Sequence, residues 1–411
     1  MLVNTTSYSA LSFNSIFKGS REIWSTVVLK VRLNFDENGQ VSYQNQSDVK
    51  INRTDVHLSE SNELNEVLFP CDVVPHKVRA DIIYSGYSHN PTRYSNINNR
   101  LEANLVLNWD NEIAINNHRV RWRTHGYRYW EWSDLGVLNF GKRKYTDEII
   151  GPKRSGSWSL CISDRKVSKV RLTPTIAYGG LTKWVKTKEN PKDISDGIYD
   201  RHKYNPIGIG VLDPDNRSNK KKIQAHSMEW IESQENSVSE STDYLVFEPC
   251  IVGPLAPWSA YRYKHSGTYS EDWKNSIHPS LPVDFKYNFY NYSHPKLQVQ
   301  DYILSGDKIL LLNLHPKFQK FLFLIPNFDF KAAWSYVNGS RAIASLKCDT
   351  VHINFMDETK LYVDLSFRAW VKISDDYALE KGHEPGYNVD QILIFDRKEI
   401  PSFLTNIKVK K

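Results

Sequence analysis

Between Pro249 and Pro316 the sequence sets seven prolines among eleven Trp, Tyr and Phe residues, and no other stretch restricts the fold as strongly. Prolines 249, 254, 257, 279, 282, 295 and 316 each fix φ, remove an amide donor and push the preceding residue towards extended geometry, which excludes a long helix. Order has to come from rings instead. Trp258, Tyr261, Tyr263, Tyr269, Trp273, Phe285, Phe289 and Tyr290 can each bury roughly 150–250 Å² and pin an irregular backbone against a sheet face. Directly afterwards, Leu297 to Leu304 and Lys308 to Leu314 read as two strands around Ser305-Gly306-Asp307, which predicts a hairpin.

Three further hairpins are expected. Trp24 to Phe35 alternates as a strand and meets the turn Asp36-Glu37-Asn38-Gly39 before Val41. Leu101 to Trp109 and Ile113 to Arg123 flank Asp110-Asn111-Glu112, and Val351 to Phe355 and Lys360 to Trp370 flank Met356-Asp357-Glu358-Thr359. Helical periodicity is scarce, and a one-sided sheet must cover its apolar face with a second layer. The expectation is an all-β protein: antiparallel sheets packed as sandwich-like layers, with long proline- and aromatic-rich loops and few helices.

Composition shifts divide the chain into an N-terminal segment 1–20, a first β subdomain 21–150, a second β subdomain 151–373 that either stands apart or continues the first, and a C-terminal extension 374–411. The polar stretches 186–204 and 213–243 have little to bury and are expected to project as long loops. The last residues, 407–411, read as a frayed tail.

At 411 residues the chain is long enough to bury a sizeable core, and twelve Trp with twenty-three Tyr favour strands. Cys71, Cys161, Cys250 and Cys348 lie far apart with no CxxC pair, so reduced thiols are expected rather than a zinc knuckle or a disulfide framework. The first twenty residues lack the basic start and apolar run of a signal peptide, and no stretch of about 18 apolar residues occurs, so a cytoplasmic protein without a membrane partner is expected. A net charge of +6 is small for this length, and its two clusters, Lys142-Arg143-Lys144 and Lys220-Lys221-Lys222, read as solvated turns, which argues against a nucleic-acid partner.

Chemistry-bearing patterns are weak. Glu131 and Asp134 beside Trp130 and Trp132 resemble a glycosidase pair, yet on a strand they would point to opposite faces. The pairs His118 with His125 and His76 with His89 lack metal-ligand spacing, and no Gly-x-Ser-x-Gly elbow exists. Asn205-Pro206-Ile207-Gly208-Ile209-Gly210 lacks the third glycine and the following helix of a dinucleotide fingerprint. No catalytic residue, cofactor or metal site is therefore assigned. Aromatic and arginine side chains are the usual anchors of interfaces, so Trp184, Trp230, Trp258, Arg262, Tyr269 and Trp273 are the candidate partner-binding residues. Arg128 and Arg262, set among rings, read more readily as stacked structural cations than as substrate clamps.

The order of several short motifs carries a resemblance. Gly253-Pro254-Leu255-Ala256-Pro257-Trp258, Arg262, Gly267-Thr268-Tyr269, Trp273, Leu281-Pro282-Val283-Asp284-Phe285 and Gly306-Asp307 follow one another after Pro75-His76-Lys77, Asp81-Ile82-Ile83-Tyr84-Ser85-Gly86, Gly126-Tyr127-Arg128-Tyr129-Trp130 and Tyr178-Gly179-Gly180. With Asp349-Thr350-Val351 to Trp370 this sequence, over residues 20 to 373, resembles the DUF2169 family. That resemblance implies a bacterial, non-enzymatic adaptor or chaperone of type VI secretion, which binds a secreted toxin effector and helps load it onto the trimeric spike protein VgrG. The usual Gly-Asp-Arg is Gly126-Tyr127-Arg128 here, and a polar stretch replaces the asparagine-centred loop between Gly210 and Pro249, so cargo choice is expected to differ. The same rings also fit an alternative, a carbohydrate-binding or carbohydrate-active β-sandwich.

Overall fold

The computed structural model describes residues 1–18, 22–43, 46, 49–57, 67–94, 107–126, 128–133, 143–145, 157–162, 167–172, 181–183, 199–201, 211–212, 222–224, 227–231, 250–257, 259–337, 339–374 and 389–397. It is an all-β protein in which strands from distant parts of the chain share sheets. The largest sheet has seven strands, running Ser9–Ile16, Ile23–Phe35, Tyr362–Ser374, Lys347–Asn354, Ala80–Ser85 and Gln298–Val299, with Val41–Ser42 added at the end of the second. A five-stranded sheet runs Met228–Trp230, His118–His125, Asn108–Ile115, Lys308–Leu312 and Lys320–Leu324. A four-stranded sheet joins Leu2–Asn4, Val389–Asp396, Phe330–Tyr336 and Arg341–Ser345. The segments expected as two β subdomains thus meet inside the seven-stranded sheet, and the N-terminal segment and C-terminal extension pair in the four-stranded one.

Period-2 alternation explains the layering. On Ile23–Phe35 the β-branched and leucine positions Val27, Leu29, Val31 and Leu33 line one face, opposite Phe367, Leu365 and Val363 of the neighbouring strand. These side chains pack in one cluster with Ile113, Trp122, Ile309, Leu311, Phe321 and Phe323 of the five-stranded sheet and with Phe330, Ala332 and Trp334 of the four-stranded one. Each such side chain contributes about 1.5–3 kcal/mol when fully buried, so this face dominates the stability of the sandwich. Edge-to-face rings lock the layers, as where Phe35 meets Phe321 at 5.2 Å and Phe330 meets Phe367 at 5.1 Å. Pairing is mostly antiparallel. Ala80–Ser85 beside Lys347–Asn354 and Leu2–Asn4 beside Val389–Asp396 are parallel, as strands brought together from far apart in sequence can be.

The hairpin at 36–39 forms as expected, with Asn34 opposite Ser42 and Gly39 in the left-handed region at φ 78°. The hairpin across 356–359 forms too, Asn354 lying opposite Tyr362. Two expectations are corrected. Leu297 to Leu304 does not pair with Lys308 to Leu314: Gln298–Val299 pairs with Ala80 and Asp81, Ile303 bridges Cys348, and Lys308–Leu312 instead pairs with Lys320–Leu324. Gly306 does reverse the chain, at φ 85°, but the strand that follows finds a better apolar partner further on. The third hairpin exists with its turn elsewhere, at Asn116, which takes φ 48°. Asp110, Asn111 and Glu112 lie within a strand because each finds a cross-strand partner, Arg123 for Asp110, Thr124 for Asn111, Arg119 and Arg121 for Glu112.

The stretch 213–243 is also not wholly loop, since Met228–Trp230 pairs with Trp122, Arg123 and Thr124. The rest of the polar stretches lies largely outside the described residues, as do the Gly179-Gly180 and Gly208 motifs and the tail 407–411. In the proline-rich region the only α-helices among the described residues are Ala260–Tyr263 and Glu271–Ser276, so the exclusion of long helices holds.

Candidate functional site

The second face of the seven-stranded sheet is polar and yet covered. On Tyr362–Ser374 the positions Asp364, Ser366 and Arg368 alternate with the core residues Val363, Leu365 and Phe367, as Lys30 does with Leu29 and Val31 on Ile23–Phe35, and all four are buried. Such groups stay ionised inside a protein only when paired. Lys30 Nζ lies 2.8 Å from Asp72, whose other carboxylate oxygen accepts from Ser366 Oγ at 3.0 Å. Arg368 donates to the Asp72 carbonyl at 2.8 Å and pairs with Asp349, which accepts from Thr350 Oγ1 at 2.9 Å. Lys77 Nζ then joins Thr350 Oγ1 to Asp81 Oδ2, each at 2.7 Å.

Asp81 carries this network to the aromatic region. Its carboxylate accepts from Asn291 Nδ2 at 3.0 Å, from the Tyr292 amide at 3.0 Å, and from the Ser293 amide and hydroxyl at 3.2 and 2.7 Å. Burial by itself would raise the Asp81 pKa, but the Lys77 ammonium and these donors outweigh it and hold the carboxyl below its ordinary value. A loop that has little regular structure is thereby bonded to the sheet, and Tyr292 is fixed with it.

Above Tyr292 lies Arg262, from the short helix Ala260–Tyr263. Its guanidinium stacks 3.9 Å over the Tyr292 ring and 4.8 Å over Phe289, donates to the Leu255 and Phe289 carbonyls at 2.7 and 2.9 Å, and stands 4.0 Å from Asp55. Arg262 is the stacked structural cation that its ring-rich setting predicted. The next turn depends on Gly267, at φ 78°, where a Cβ would come within 3.1 Å of the Phe285 backbone. Asp284 closes that turn by accepting from the Thr268 amide at 3.0 Å and its hydroxyl at 2.8 Å, bonds that lower the Asp284 pKa. The helix Glu271–Ser276 follows, capped by Ser270, whose hydroxyl accepts from the Trp273 amide, with Glu271 and Asp272 at its positive end. Tyr269 and Trp273 meet edge to face at 4.7 Å, and Trp273 Nε1 donates to the Ser280 carbonyl at 2.8 Å.

Together these loops form one side of an open groove of about 1640 Å³. Residues 53–57, 71, 73 and 74 complete the lining, including Asp55, Val56 and Cys71. Tyr263 and Tyr269 stand on the rim, 63% and 54% exposed, while Arg262, Tyr290 and Tyr292 lie below. Burial raises the pKa of the Tyr290 and Tyr292 hydroxyls and of the Cys71 thiol, so all three stay neutral at physiological pH. A thiol held protonated is a poor nucleophile.

Of the candidate residues, Tyr269 and Trp273 are brought together beside the groove and Arg262 lies in its floor. Trp230 is buried, 6.5 Å from Trp122 and 4.8 Å from His294, and therefore supports the core instead of offering a surface; Arg262 is likewise covered by its own ring partners. Trp184 and Trp258 lie outside the described residues. Sequence reasoning missed Asp55, Cys71 and Val56, whose approach to residues 257–292 has no local signal, and Asp81 as the anchor. Among the described residues no group of three His, Cys, Asp or Glu side chains forms a metal centre, and Cys71 and Cys348 are free thiols.

The family motifs fall on these same positions. Residues 20–365 match the family model described as an uncharacterized protein conserved in bacteria, DUF2169. The chain belongs to the DUF2169 family. In this DUF2169 protein Lys77 and Asp81 bond the aromatic loop to the sheet, Gly267 and Asp284 shape the groove wall, and Gly86 leaves room for the Tyr84 hydroxyl, which a Cβ would approach to 2.7 Å. No curated protein and no solved structure matches the chain. No helix among the described residues is long and apolar enough to cross a membrane.

Proposed function

We propose that this protein is a non-enzymatic adaptor of type VI secretion, acting in the bacterial cytoplasm, which grips a toxin effector and helps load it onto the spike protein. The observation that carries the reading is the groove: its aromatic rim is exposed, its floor is bonded to a buried ionic network, and the Tyr290 and Tyr292 hydroxyls in that floor are held neutral. Such a surface is built for contact. Loops ordered before the partner arrives lose less entropy on binding, and tyrosines supply large contact area with few rotatable bonds. The family's role in secretion, implied by the ordered motifs, supplies the class of partner.

The test is co-expression of the tagged chain with the toxin and spike genes from its own host. Wild-type protein is expected to bring down both partners, and Tyr263→Ala with Tyr269→Ala is expected to lose the toxin while keeping its circular dichroism spectrum. Retention of glycans on an array, with no toxin captured, would sink the adaptor reading and favour the carbohydrate-binding one.

A further inference from the structure

The five-stranded sheet ends at Lys320–Leu324, with no strand beyond it among the described residues. Its register with Lys308–Leu312 determines which backbone groups are used. The Asn313 amide donates to Gln319 and the Ile325 amide to Asp307, so the bonded pairs are the odd-numbered residues, and Phe321 and Phe323 turn their amides and carbonyls inward. The amides and carbonyls of Lys320, Leu322 and Leu324 consequently face the open edge.

Side chains sharpen the point. Phe321 and Phe323 are buried in the core, whereas Leu322 and Leu324 are 57% and 50% exposed. The strand pairs without a bulge over its whole length and is free of proline, so it lacks two usual devices against unwanted pairing. Basic charge frames the leucines: Lys320 begins the strand and Lys308 lies opposite Leu324, both exposed, and neither has a carboxylate partner among the described residues.

We propose that this edge is a second docking site, which takes an extended segment of a partner protein by strand addition, the segment carrying apolar residues and Asp or Glu together at every second position, on the face that Lys308, Lys320, Leu322 and Leu324 share. The free backbone groups at every second residue supply the hydrogen bonds, Leu322 and Leu324 the apolar contact, and the two unpaired lysines the preference for an acidic strand. None of these residues lines the groove, so the inference stands independently of what the groove binds.

The probe is a nine-residue synthetic peptide with glutamate at positions 2 and 8, valine at 4 and 6 and threonine between, so that both kinds of side chain share one face, with lysine in place of glutamate as control, added to the full chain. The acidic peptide is expected to slow hydrogen exchange at the Leu322 and Leu324 amides, with no change at 263–269. Leu322→Pro removes one outward amide and no inward bond, and is expected to weaken binding about tenfold. Leu322→Lys, which leaves the backbone intact, gives a second reading if the proline variant unfolds, and Lys308→Glu with Lys320→Glu is expected to reverse the peptide preference. Equal protection by both peptides, or none at millimolar peptide, overturns the proposal. So does a dimer in light scattering that Leu322→Pro dissolves, since the occupant would then be a second copy.

Discussion

Replacing Asp81 by Asn tests how the groove is held. Asp81 is fully buried, and so is the Lys77 ammonium 2.7 Å away, so the substitution leaves a positive charge in the interior without its counterion. Breaking a buried pair from one side costs about 3–5 kcal/mol. The amide also keeps only one acceptor oxygen for the donors of Asn291, Tyr292 and Ser293, and each lost bond to a charged group is worth about 1.5–3 kcal/mol. Not all of this adds, because the loop relaxes; a loss of about 4 kcal/mol is the working figure, a large part of the 5–15 kcal/mol typical of a folded protein. Urea unfolding should register it as a lower midpoint, and hydrogen exchange should place the opening at 291–293. The double variant Lys77→Met with Asp81→Asn should be less destabilised than the sum of the single variants, since it removes both charges. An Asp81→Asn protein within about 1 kcal/mol of wild type would mean that this carboxylate does not anchor the loop.

Three other outcomes are expected. Burial removes the hydration that an imidazolium needs and lowers His315 and His352 to about 4 from 6.5, so the unfolded chain takes up protons first; stability should fall between pH 6.5 and 4, by up to roughly 1.4 kcal/mol per pH unit for each histidine, as urea titrations at pH 7 and 5 would measure. Gly267→Ala forces a Cβ onto the Phe285 backbone at positive φ, and thermal unfolding should show a loss of about 1–3 kcal/mol, against little change for Gly339→Ala beyond the φ penalty, where nothing lies within 4 Å. Arg262→Met empties two carbonyl bonds but keeps an apolar stem, so destabilisation of about 2–3 kcal/mol is expected with a weaker grip on the effector in a pull-down.

What the sequence showed was local. The turn at Gly39 and the loop 356–359 were legible because a short polar connection joins strands that pair with each other. Gly306 gave an equally clear turn, but a turn does not name its strand's partner, and Lys308–Leu312 lies between two others. Lys30, Asp364, Ser366 and Arg368 look like a solvent face by alternation; they are buried, and the segment around Asp72 bonds to Lys30, Ser366 and Arg368, a long-range event with no periodic signal. The candidate residues fared likewise: proline and ring content pointed to Arg262 in the floor and Tyr269 on the rim, with Trp273 beside it, while the lining with Asp55 and Cys71 arrives from about 200 residues earlier and could not be read from composition.

The proposed function has the tyrosine-rimmed groove receive the effector. A photo-crosslinking amino acid placed at position 269, in the full chain co-expressed with effector and spike, reports that contact. A crosslink to the effector is expected from 269 and none from 343 on strand Arg341–Ser345, where Ile343 is similarly exposed. A crosslink from 343 with silence at 269 would contradict it.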